Sequence, residues 1–87
     1  MIEKIGRPAM LEQLAEEASE LAQACLKLAR KERGENPTPL NMREIDEAIY
    51  EEYTDVIQCT RELGLSVNWE QFREKEERFL RRWNETQ

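Results

Sequence analysis

The sequence predicts an all-α fold. A subunit of three helices pairs its first two antiparallel and joins further copies to form four-helix-bundle cores in a dimer or tetramer. Three observations predict it. Only three glycines and three prolines occur in 87 residues, too few turn formers for a β fold, while Glu, Lys, Arg, Gln, Leu and Ala dominate the remainder. Apolar residues recur at spacings of three and four, the period of a helix. Start and stop residues fall at the ends of each periodic stretch. No internal repeat or long linker divides the chain, so residues 1–87 read as one domain.

The first helix runs from Pro8 to Arg33. Proline suits the opening turn, and Gly34 suits the left-handed residue past the end. Its apolar positions are Leu11, Leu14, Ala18, Leu21, Ala22, Cys25, Leu28 and Ala29. At 1.5 Å per residue it spans about 39 Å. Two shorter helices do not cover so wide and long an apolar arc, and a second subunit is expected to do so. The stretch "GENPTPLN" is a loop, because two prolines and a glycine continue neither neighbour.

The second helix opens at Asn41, with Glu44 as capping-box partner and Leu40 and Ile45 placed as a hydrophobic staple. It stops at Leu63-Gly64-Leu65, a glycine followed by an apolar residue, as a Schellman turn prefers. The third helix begins at Asn68, with Gln71 as box partner and Val67 and Phe72 as staple. Its apolar stripe is Trp69, Phe72, Phe79, Leu80 and Trp83.

Composition narrows the chemistry. A net charge of −6 argues against a nucleic acid polymer bound through a broad basic surface. No apolar segment approaches the roughly 18 residues of a membrane span, and "MIEKIGRPAM" has no signal-peptide core, so a cytoplasmic protein is expected. Cys25 and Cys59 are too few and too far apart for a disulfide framework or zinc knuckle, and both read as core positions. There is no histidine, which removes imidazole bases, Ser-His and Cys-His pairs and most zinc enzymes. Catalysis would fall to carboxylates, Lys, Arg and a hard metal ion.

The carboxylates separate by helical angle, at about 100° per residue. In "LAEEASELA", Glu17 shares a face with Met10, Leu14, Leu21, Ala24 and Leu28. Glu20 lies one turn on, at the polar side of that shoulder, and Glu16 is further round. In "EEYTD", Glu52 sits among Ile45, Ala48, Val56, Cys59 and Leu63, Asp55 lies at the stripe edge, and Glu51 points away. Each helix therefore directs an i, i+3 carboxylate pair toward its apolar seam. An antiparallel pairing through those seams brings Glu17, Glu20, Glu52 and Asp55 together. Buried carboxylates need a counter-charge, and no Lys or Arg occupies either stripe near them. All-oxygen ligation points to Mg²⁺, with Mn²⁺ as the other ion it suits.

"QLAEEASELAQA" followed by "EEYTDVIQC" resembles the Glu-Glu-x-x-Glu … Glu-x-x-Asp signature of the MazG-like all-α nucleoside triphosphate pyrophosphohydrolases. The resemblance covers roughly Leu11 to Leu65, with a longer gap between the half-motifs than is usual in that superfamily. It implies that Glu17, Glu20, Glu52 and Asp55 hold Mg²⁺ and that Glu16 assists, either by supporting those ligands from behind or as the base for water. Lys75, Arg78 and Arg82 of the last helix would hold the triphosphate, helped by Lys27 and Lys31. The implied reaction cleaves a (d)NTP between its α and β phosphates, giving (d)NMP and pyrophosphate, in a homodimer or homotetramer. The rival expectation is a non-catalytic helical interaction module whose apolar arc binds a partner helix. "MREIDEAI" also prompts a chorismate-mutase-like bundle, but the inward-facing arginines which that fold needs are absent from the apolar faces.

Overall fold

Four helices and no strand form among residues 1–35 and 41–86, which the computed structural model describes. They are α1 (Ile2–Ile5), α2 (Arg7–Arg33), α3 (Met42–Glu62) and α4 (Trp69–Thr86). The all-α prediction holds, with one addition: a single turn, α1, precedes the three long helices. One turn is too short to show a hydrophobic period, so no local pattern marks it.

Gly6 joins α1 to α2 at a φ of 88°, a backbone region open to glycine at little cost. Both long helices before α4 then stop as the sequence predicts. At the end of α2, Gly34 is left-handed, its N–H donates to the Lys31 carbonyl, and the Glu35 N–H donates to Arg30. At the end of α3, Gly64 donates to Arg61 and Leu65 to Thr60, the same Schellman pattern.

The starts agree as well. Asn41 Oδ1 accepts the Glu44 N–H at 2.9 Å, and its amide donates to the Glu44 carboxylate at 3.1 Å. Asn68 Oδ1 accepts the Gln71 N–H at 3.0 Å. Leu40, one half of the predicted staple, lies outside the described residues, as does most of "GENPTPLN". Ile45, the other half, is buried.

α2 and α3 pack antiparallel. Met10 near the start of α2 clusters with Cys59 and Leu63 at the end of α3, and Ile2 and Leu14 pack against them. At the opposite end Arg30 and Ile45 border one cavity. α1 closes the first end: the Met1 ammonium reaches Glu62 Oε1 at 3.1 Å, and the Ile2 N–H donates to Oε2 at 3.3 Å.

The core of the single chain is small. Among the described residues, Met10 and Ile45, each 1% exposed, are the best-covered side chains. Cys59 is buried, as predicted, but Cys25 is exposed. It lies with Leu11, Ala18 and Ala22, also exposed, on the side of α2 turned away from α3. The helical period identified an apolar face there, and none of the described residues covers it.

α4 buries none of its residues. Trp69, Phe72, Phe79, Leu80 and Trp83 stay 50–66% exposed, though Trp69 and Phe72 touch ring to ring with centroids 5.4 Å apart. The chain exposes 7352 Å². A compact monomer of this mass would expose about 5,400 Å². Its radius of gyration, 16.8 Å, likewise exceeds the roughly 12 Å of a compact chain this long. No helix among the described residues is long and apolar enough to cross a membrane.

Candidate metal centre

Antiparallel packing places the middle of α2 beside the middle of α3, where the two acidic pairs lie. Glu17, Glu20 and Glu52 each present a carboxylate oxygen there, and these three oxygens lie within 4.8 Å of one another. Glu17 and Glu52 are half-buried and Glu20 is exposed, so one side of the cluster opens to solvent.

Two of these carboxylates hold an oxygen that is fully covered and has no hydrogen-bond partner, Glu17 Oε2 and Glu52 Oε2. For Glu17 the cause is local. Gln13, one turn earlier, donates from Nε2 to Oε1 at 2.8 Å, which pins that oxygen and leaves Oε2 free. Burial pushes the Glu17 carboxyl above its ordinary pKa against the lowering effect of the Gln13 bond, and the nearby charges of Glu20 and Asp55 add to the rise.

The donor set fits a hard divalent cation: three carboxylates, no nitrogen or sulfur, and two oxygens already stripped of other partners. Oxygens around Mg²⁺ at 2.0–2.1 Å stand about 2.9 Å apart when adjacent and about 4.2 Å when opposite, so the three carboxylates would draw closer to share one ion and water would fill the remaining positions.

A cavity lies on either side of the cluster. The larger, about 770 Å³, is bordered by Gln13, Glu17, Asp55, Gln58 and Cys59, with Met1 and Glu62 at the α1 end. The smaller, about 370 Å³, is bordered by Glu20, Lys27, Arg30, Ile45 and Glu52. Both volumes fall in the roughly 300–1,000 Å³ range of ligand sites. Cys59 contributes packing rather than a thiolate: burial raises its pKa, and Glu17, Asp55 and Glu62 raise it further.

The predicted residues divide accordingly. Glu17, Glu20 and Glu52 converge. Asp55 is half-buried and borders the larger cavity beside Glu17, outside the converging trio. Glu16 is exposed and borders neither cavity. Lys27 borders the smaller cavity, whereas Lys31, half-buried, borders neither. Lys75, Arg78 and Arg82 are exposed on α4, away from both cavities within one chain.

Comparison of the chain with protein-family models, curated proteins and solved structures yields no match.

Sequence reading passed over two residues at the cleft. Gln13 stands four residues before Glu17, the spacing at which an amide can hold a carboxylate on a helix, and that signal was available. Arg30 is half-buried with its Nε covered and unpartnered. Its spacing of three from Lys27 hinted at a shared face, but its burial depends on α3.

Proposed function

We propose that this chain is a Mg²⁺-dependent nucleotide pyrophosphohydrolase of the MazG-like type, cleaving a (d)NTP between its α and β phosphates. One observation carries the reading: Glu17, Glu20 and Glu52 converge from two helices with two of their oxygens buried and unpartnered. Like charges so placed repel one another, and a divalent cation reverses the sign of that interaction. Glu17, Glu20 and Glu52 would hold such an ion, which would supply neutralisation of phosphate charge and a lower pKa for water.

The chain's own groups account for the rest of the hydrolysis. Gln13 holds Oε1 of the Glu17 carboxylate and leaves Oε2 without a partner. The water oxygen bonds to the α phosphorus, the bond from that phosphorus to the bridging oxygen breaks, and pyrophosphate leaves. The proton of the water passes to a carboxylate. The resemblance assigns that role to Glu16 and makes Asp55 a fourth ligand. Single amide variants separate the two: Glu16→Gln lowers turnover and keeps Mn²⁺ binding, whereas Asp55→Asn lowers both.

Two or more copies form the functional unit in this reading. The excess exposed area is about 2,000 Å² per chain, so pairing buries about 4,000 Å² in total, inside the roughly 2,000–5,000 Å² of obligate homodimers. A non-catalytic interaction module draws on the same uncovered α4 face. It leaves the carboxylate cluster without a purpose, since a pure interface favours Leu at the Glu52 position.

The test is pyrophosphate release from each NTP and dNTP with Mg²⁺ or Mn²⁺. Activity is expected on at least one nucleotide. Glu52→Gln should lower it by at least the roughly 10–100-fold seen for outer-shell partners of a metal. No release from any nucleotide, or full activity in Glu52→Gln, overturns the proposal.

A further inference from the structure

The cleft holds a second polar group that metal ligation does not use. Beyond Glu20 and Glu52, toward the end of α2, Lys27 and Arg30 border the smaller cavity. They are three residues apart on one helix and so stand side by side. Arg30 is half-buried and its Nε has no hydrogen-bond partner. Among the described residues the ion pairs involve Met1, Arg33 and Arg43, so neither Lys27 nor Arg30 is spent on a carboxylate. This holds although Glu20 and Glu52 border the same cavity.

A covered N–H without an acceptor is costly, and an acceptor entering the cavity satisfies it. A guanidinium fork beside an ammonium suits phosphate oxygens. Glu20 and Glu52 weaken the hold of Lys27 and Arg30 on a bare anion, so the ligand that fits both halves of this cavity best is a phosphate chain that carries its own divalent cation. Resting on the function proposed above, we infer that Lys27 and Arg30 seat the diphosphate end of the metal-bound substrate. The phosphate chain then runs toward the end of α2.

The experiment titrates inorganic pyrophosphate, with and without Mn²⁺, into the wild type, Arg30→Gln, Lys27→Gln and Arg33→Gln by calorimetry. Arg33 is exposed and paired with Glu35 at 2.8 Å, so its variant controls for general charge. Mn²⁺ should raise the melting temperature of all four proteins. Pyrophosphate affinity should fall about tenfold or more in Arg30→Gln, fall several-fold in Lys27→Gln and hold in Arg33→Gln. Lys27 is exposed, so its variant reads the seat even where Arg30→Gln weakens the fold. Affinity in Arg30→Gln within twofold of the wild type, an equal fall in Arg33→Gln, or no pyrophosphate binding by the wild type overturns the seat. A wild type that ignores Mn²⁺ strikes the metal reading instead. The seat is then judged by the metal-free titration, in which Arg30→Gln must still weaken binding.

Discussion

Glu17 holds one carboxylate oxygen in a bond from Gln13 and keeps the other covered and without a donor. Its pKa is raised, by burial first and then by Glu20 and Asp55. The sign of the consequence follows from proton linkage. A raised folded-state pKa favours the protonated form, so the group's contribution to stability is full below its ordinary pKa. That contribution is lost as pH rises through the raised value. Glu17→Gln keeps an acceptor for Gln13 and removes the charge. The metal-free variant should therefore melt above the wild type at pH 7, and the difference should vanish as pH falls below the ordinary glutamate range. Melting curves of both proteins from about pH 3 to about pH 8 check this. A variant that melts below the wild type at pH 7 contradicts it. The metal responds oppositely: Mn²⁺ at 100 times its dissociation constant adds about 2.7 kcal/mol to the wild type, and the variant should lose much of that gain.

Among the elements, α3 depends most on its first turn. Asn41 satisfies the Glu44 N–H, and buried Ile45 follows directly. Asn41→Ala should cost about 1 kcal/mol, which lowers the melting temperature by roughly 4–8 °C in a domain of this size. Thermal unfolding at pH 7 measures it, and an unchanged melting temperature would show that the cap contributes nothing. The caps were legible because capping is local: Asn41 with Glu44, Asn68 with Gln71, and glycines at 34 and 64 all act within six residues. α1 was not legible. It is held by contacts some sixty residues away, from Met1 and Ile2 to Glu62, which no local pattern announces.

At the scale of the whole molecule the uncovered surface dominates. α4 offers two tryptophans, two phenylalanines and a leucine to solvent, and α2 offers Leu11, Ala18, Ala22 and Cys25. Apolar area is worth about 25 cal/mol per Å² removed from water, so covering these faces favours association. Sedimentation should give a mass at least twice 10.4 kDa. Trp83→Glu, which places a charge on the α4 face, should lower that mass toward the monomer and lower the melting temperature with it. A wild type that sediments at 10.4 kDa with a cooperative melt would remove the need for a second copy.

By itself the sequence determined the helices, their caps and which glutamates face the seam, because each follows from the period of one helix and from bonds spanning a few residues. Glu17 and Glu52 were legible for that reason: each stands among leucines, isoleucines or alanines at helical offsets. Only the tertiary structure decided which carboxylates meet. A helical angle assigns a side chain to a face. Separation across a cleft depends also on how deeply two helices sit and where along their length they cross. Those variables bring Glu52 to Glu17 and Glu20, set Asp55 on the wall of the neighbouring cavity, and leave Arg30 covered and unpartnered beside Lys27.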